Sequence, residues 1–175
     1  RQRQMCIRDR ISSIPQVDKS MLMQSTDGIA ENESENQSVS MIVPKAPENM
    51  GDYIDLVSAE NGSNLEVKSG SVIITQKLAK LLDLKTGDTI TIKLSGHEEK
   101  EFKIGGVSKN YALHYIYITP DDFESIYGEK PVYNLSFIDL KKDTDENSFK
   151  EQLISNDEFY GISFKNDSSL SLIHI

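Results

Sequence analysis

The chain has 175 residues, 27% of them charged and 7% aromatic, with a formal net charge of −9, one cysteine and no tryptophan. Phosphate binding needs clustered lysine and arginine, and no basic cluster stands out against this acidic background, so nucleic acid is excluded as a partner. A lone cysteine excludes a disulfide framework and zinc–cysteine sites, and no apolar run reaches the roughly 18–20 residues of a membrane-spanning helix.

In chain order, the first stretch is anomalous. Met5-Cys6-Ile7-Arg8-Asp9 back-translates as ATG TGT ATA AGA GAC, and Leu170 to Ile175 as CTG TCT CTT ATA CAC ATC. These are reverse complements over their shared length, and they resemble the translated mosaic end of a transposase-based sequencing adapter. Residues 1–10 and 170–175 are therefore expected to be foreign and are set aside, as an appended segment would be. All four arginines and Cys6 lie in 1–10. What remains has lysine as its only strong base and is more acidic still; its lysine- and asparagine-rich composition fits an AT-rich bacterial genome.

Residues 11–169 read as one domain, long enough to bury a core. Ile11–Val17 reads as a helix end or loop and Ser20–Gln24 as a strand. The polar, acidic run Thr26–Gln37 reads as a solvated hairpin tip, and Val39–Val43 as the returning strand, ended by Pro44. Pro47–Ile54 reads as a short helix, and Asn61-Gly62 as a turn between strands Ile54–Val57 and Leu65–Val67. Val72–Ile74 is a β-branched strand. Thr75 is placed to cap the next helix, with Leu78, Leu81 and Leu82 on its inner face, Lys77 and Lys80 outside, and Leu84 packed just beyond. Lys85-Thr86-Gly87-Asp88 is a turn. Thr89–Leu94 alternates strictly, turning Ile90, Ile92 and Leu94 to one side. Ser95-Gly96-His97 is a hairpin loop, and Glu101–Ile104 returns antiparallel. Gly105-Gly106 is expected to break the ladder as a bulge or bend. Tyr115–Ile118 is a strand. Thr119-Pro120-Asp121-Asp122 is a helix start, with cap, first-turn proline and acids at the positive dipole end, and Gly128 closes that helix. Tyr133–Leu140 is a strand, Glu146–Ser155 an amphipathic helix with Phe149, Leu153 and Ile154 inward, and Gly161–Phe164 a last strand. Hairpins rather than regular crossovers predict an α+β fold with a mixed, largely antiparallel sheet and several short helices.

No residues assemble a catalytic, cofactor or metal motif. His97, beside Glu98 and Glu99, reads as a solvated loop residue, because a metal site needs converging ligands at defined distances. His114 lies among aromatic residues after the glycine pair; it reads either as a partly buried histidine bonded to backbone or as part of a contact loop. Tyr115 or Tyr117 is assigned to the core and Tyr111 to its rim. Tyr111, His114 and Tyr115 are the candidate contact loop. Asp121 and Asp122 are explained by the helix dipole. Glu31, Glu33 and Glu35 lack calcium-loop spacing, no serine sits in a nucleophile elbow, and Gly105-Gly106 lacks phosphate-loop spacing.

The segments SVIITQKLAKLLDLKTGDTITIK and KIGGVSKNYALHYIYITPDDFESIYGEKPVYN, with VSMIVPKAPENMGDYI before them, resemble the extracytoplasmic domain of FtsX-like permeases of the MacB/LolC type. The Asn110-Tyr111-x-x-His114-Tyr115-Ile116-Tyr117 stretch is similar to the large two-repeat permeases of low-GC Gram-positive bacteria. The resemblance covers most of Ile11–Ser169, and its motifs are packing and turn patterns. It implies a MacB-like periplasmic core fold at the cell membrane, on the extracytoplasmic side. It also implies transmembrane helices on both sides, a separate cytoplasmic ABC ATPase subunit as partner, and an extracellular peptide, lipoprotein, antibiotic or cell-wall protein as ligand. The domain itself is expected to be no enzyme and to bind no cofactor. A freestanding secreted or cell-surface interaction domain is the alternative, and a hydrolase completed by residues outside the chain is a third reading.

Overall fold

The computed structural model describes residues 11, 14–32, 35–109, 114–154, 161–164 and 170–174; side chains are described as far as Glu151, Glu146 excepted. The chain divides into two compact units, Gln24–Pro131 and a second formed by residues 1–23 with 132–175.

The Gln24–Pro131 unit is built on the second part of β1 (Val17–Glu31), with β2 (Asn36–Pro44), β3 (Val72–Thr75), β4 (Thr89–Leu94), β5 (Glu99–Ser108) and β6 (Tyr115–Tyr117). Their order is β2-β6-β3-β5-β4-β1, and β1 also pairs with β2, so the six strands close on themselves. Two pairings are parallel, β2 with β6 and β3 with β5; β4–β5, β1–β4 and β3–β6 are antiparallel. Closure leaves each strand paired on both edges, the most direct protection against edge-to-edge association.

Strand alternation fills the interior. Val39, Met41 and Val43 from β2, Val72 and Ile74 from β3, Ile90, Ile92 and Leu94 from β4, and Phe102 and Ile104 from β5 form one buried cluster with Ile116 and Ile118. Burying an aliphatic side chain of this size contributes about 1.5–3 kcal/mol relative to exposure. Helix α1 (Gln76–Leu81) adds Leu78 and Ala79 to the cluster, and Leu82 follows at its C-cap. Leu81 does not join the inner face as expected: it is 40% exposed. The buried stripe is centred between Leu78, Leu82 and Ala79, and at about 100° per residue Leu81 falls outside it. Thr75 occupies the N-cap position, but its side chain makes no capping bond to the helix and is fully buried. Helix α2 (Pro120–Tyr127) begins as the sequence predicts: Thr119 Oγ1 accepts from the Asp122 N–H at 3.2 Å, and Gly128 ends the helix at φ 74°. Its Phe123 is fully buried in the cluster.

Three further expectations change in this unit. First, the hairpin tip is shorter than Thr26–Gln37. Thr26 to Glu31 continue β1, Gly28–Glu31 pairing with Leu94–Thr91, and Asn36 and Gln37 belong to β2. Pairing with β4 gives these polar residues backbone partners that composition does not reveal. The remaining turn is held by the Asn32 N–H to the Glu35 carbonyl at 3.0 Å and by the Glu35 N–H to Asn32 Oδ1 at 2.9 Å. Second, Ile54–Val57 and Leu65–Val67 are not strands. One bridge, Val57 with Asn64, joins these stretches after the 3-10 turn Pro47–Asp52, and backbone bonds such as Leu65 N–H to the Leu56 carbonyl at 2.6 Å satisfy the loop. Third, Gly105-Gly106 does not end a strand: β5 runs on to Ser108. The expected bulge is present as a register skip, Val72 opposite Ile104 but Ile73 opposite Gly106. Space is tight there: a Cβ on Gly105 would overlap the Ser71 hydroxyl, and one on Gly106 would lie 3.0 Å from a Leu65 methyl.

In the second unit the order is β1-β7-β9-β8, all antiparallel, with β7 (Leu135–Leu140), β8 (Gly161–Phe164) and β9 (Leu170–His174). Helix α3 (Glu146–Ile154) buries Phe149; the predicted inward Leu153 and Ile154 side chains lie outside the described residues. Strand β9 lies within the terminal segment 170–175, which the sequence leads one to expect to be foreign. Its Leu-Ser-Leu-Ile-His alternation is strand-competent, and it occupies the position between β7 and β8. No described helix is long and apolar enough to cross a membrane.

Candidate ligand groove

The ends of β1, β2 and β4 in the Gln24–Pro131 unit frame a groove of about 740 Å³, within the size range of small-ligand sites. Its lining includes Asp27 and Ile29 from β1, Lys93 from β4, Lys77 from α1, and His97 and His114 from two loops. Close approach of the strands shapes it: a Cβ on Gly28 would stand 2.6 Å from the Lys93 carbonyl oxygen. Ile29 and Lys93 are cross-strand partners, so an exposed apolar side chain and a cation lie side by side.

His114 is fixed by β2. Its carbonyl accepts from the Ser40 N–H at 2.9 Å, and its ring Nδ1 lies 3.0 Å from the Ser38 carbonyl. A carbonyl can only accept, so Nδ1 carries the hydrogen and the neutral ring has its lone pair on Nε2. That Nε2 is buried with no hydrogen-bond partner among the described residues. Tyr115 follows, half-buried, its ring edge-on to Tyr117 with centroids 6.2 Å apart. Burial raises its phenol pKa, and the nearby Asp27 carboxylate adds to the rise. Asp27 Oδ1 accepts from the Ser40 hydroxyl at 2.8 Å.

Of the candidate contact loop, His114 and Tyr115 come together on the groove wall, and Tyr111 lies outside the described residues. Tyr117 is the core residue, 1% exposed. The expectation for His97 is corrected. It is no solvated tip: its side chain is 24% exposed, its Nε2 lies 3.3 Å from Glu129 Oε1, and its ring meets Tyr127 edge-on at 4.9 Å. The cause is the turn itself, where Gly96 at φ 81° lets the chain fold back toward the end of α2. Sequence reasoning missed this contact because Glu129 lies far along the chain and nothing local announces it. Tyr127, between His97 and Phe123, has its phenol pKa pushed up to about 12 by burial.

Asp122 also exceeds its predicted dipole role. Its Oδ1 accepts from the Ser69 hydroxyl at 2.7 Å and its Oδ2 from the Gly70 N–H at 2.8 Å. Among the described residues no three His, Cys, Asp or Glu side chains are grouped to hold a metal. The groove offers cations, hydroxyl-bearing residues and apolar surface.

No protein-family model matches the chain, and no curated protein matches it. Among solved structures, its fold is similar to the extracellular domain of the noncanonic ABC-type transporter YknZ from Gram-positive bacteria, with TM-score 0.53, 15% identity, and 81% of this chain and 75% of that one covered. It is also similar to the periplasmic region of MacB from Actinobacillus actinomycetemcomitans, with TM-score 0.50, 16% identity, and 86% and 72% covered. At these identities the likeness establishes the fold: an α+β domain like the extracellular domain of YknZ and the periplasmic region of MacB.

Proposed function

We propose that this chain is the extracytoplasmic domain of an ABC transporter permease, and that it couples ATP-driven conformational change to the handling of an extracellular ligand. The observation that carries this reading is the shared fold, spanning about three quarters of each neighbour. The stretch from Val72 to Tyr127, which carries most of the permease resemblance, supports it by supplying four of the six strands of the closed unit. In this reading the domain is not catalytic: ATP is hydrolysed by a separate cytoplasmic ABC ATPase subunit, and the ligand is a peptide, lipoprotein, antibiotic or cell-wall protein. The gene comes from a low-GC Gram-positive bacterium, and the adapter-like residues 1–10 and 170–175 replace permease sequence.

The test is the uninterrupted gene across Arg10/Ile11 and Ser169/Leu170. The expected result is loss of the adapter-like residues, an apolar span of about 20 residues on each side, and co-purification of the full-length product with an ATPase subunit. A gene that encodes the terminal residues as they stand, or continues without any span, overturns the reading and favours a secreted interaction domain.

A further inference from the structure

We propose that the groove beside the β1–β2 hairpin binds an acidic peptide segment of another protein. The first observation is a local inversion of charge. The chain as a whole carries −9, yet the charged residues lining the groove are two lysines, Lys77 and Lys93, against a single carboxylate, Asp27. That carboxylate is already engaged by the Ser40 hydroxyl. Lys77 is exposed and has no ion-pair partner among the described residues. Lys93 reaches Glu99 only at 3.8 Å, with both side chains more than half exposed, a pairing that solvent weakens and an incoming anion can displace. Two cations are therefore available on a surface that otherwise repels anions, and such complementarity selects the partner and speeds encounter.

The second observation is the character of the walls. Ile29, 45% exposed, offers an apolar contact beside Lys93, while Ser38 and Ser95 lie along the groove as further polar lining. An open, polar-lined groove suits peptide amides interleaved with apolar and acidic side chains. It does not enclose an acyl chain from water, which argues for a peptide rather than a lipid. This inference deepens the ligand part of the permease proposal and rests on the groove being the ligand site; it does not depend on the flanking membrane spans.

The test titrates the 175-residue protein with a hexapeptide alternating leucine and glutamate, and with its leucine–glutamine counterpart, followed by amide NMR. The expected result is that the glutamate peptide shifts Asp27–Ile29, Ser38–Ser40 and Lys93–His97 and binds about tenfold tighter than the glutamine peptide. That advantage should shrink with added salt and be lost in Lys77→Gln/Lys93→Gln, whose unchanged Ile90 and Ile92 methyl resonances report an intact core. Equal binding of the two peptides, tighter binding of a leucine–lysine peptide, or shifts confined elsewhere overturns the proposal. The gene test above is read independently, so failure here leaves the permease reading standing.

Discussion

His114 grips β2 with two different atoms: its backbone carbonyl accepts from the Ser40 N–H, and its ring Nδ1 donates to the Ser38 carbonyl. The side chain thus continues a parallel ladder that β6 itself begins only at Tyr115, opposite Ser40. His114→Phe keeps a ring and removes the donor. The expected cost is about 1 kcal/mol, the usual net worth of one such bond at a solvated site, measured by urea unfolding. The Ser40 amide, bonded to the backbone of residue 114, should keep its hydrogen-exchange protection. Loss of both together would show that the ring does more than extend the ladder.

Gly105 packs closely against the Ser71 side chain. Gly105→Ala places a methyl against Ser71 and should destabilise by about 1–3 kcal/mol, as over-packing does. Ser71→Gly in the same chain should recover most of the loss, whereas Gly51→Ala, which meets open space, should be nearly neutral. Thermal unfolding of the three variants decides it.

Asp122 fastens the Ser69–Gly70 loop to the start of α2 through both carboxylate oxygens. Asp122→Ala removes two charge-assisted bonds and a favourable dipole position, for an expected loss of about 1–3 kcal/mol. Asp121→Ala, whose side chain is exposed, should cost only tenths of that. Chemical denaturation of both variants makes the comparison.

Tyr127 predicts an alkaline limb of stability. Burial raises its phenol from 10.0 to about 12 in the folded protein, so the folded state holds its proton more tightly than the unfolded chain. Its contribution is complete below pH 10 and is lost as pH climbs from about 10 through about 12. Absorbance titration at the phenolate band should lose its component near pH 12 in Tyr127→Phe, and the variant's stability should fall less steeply over that window.

Asp145 gives the opposite limb. Bonds from the Ser148 hydroxyl and N–H hold its carboxyl below the usual 3.8, so the favourable contribution is present above that value and disappears as pH drops through the lower folded value. The Ser148 amide resonance should move in this acid window and stay fixed in Asp145→Asn.

Local chemistry was readable in the sequence wherever one segment settles its own form. Thr119, Pro120 and Gly128 mark both ends of α2, and the alternation of Ile90, Ile92 and Leu94 marks an inward strand face. Legibility stopped where distant chain decides. Thr26–Glu31 is polar enough for a loop and is a strand because β4 pairs with it. Leu81 obeys helical spacing yet misses a stripe whose centre is set by the neighbouring sheet. Half of the candidate contact loop's logic was local, since His114 and Tyr115 adjoin in sequence. The other wall of the groove, with Asp27, Lys77 and Lys93, is assembled from three separate segments and carries no motif.

The ring of strands has a consequence for synthesis. Gly28 must wait for Leu94, and Ser40 for Tyr115, before their ladders can form. Contacts so far apart along the chain make folding slow relative to helical domains of equal stability. While the ribosome has yet to deliver β4 and β6, the β1–β2 hairpin stands with bare edges, the state most exposed to wrongful association.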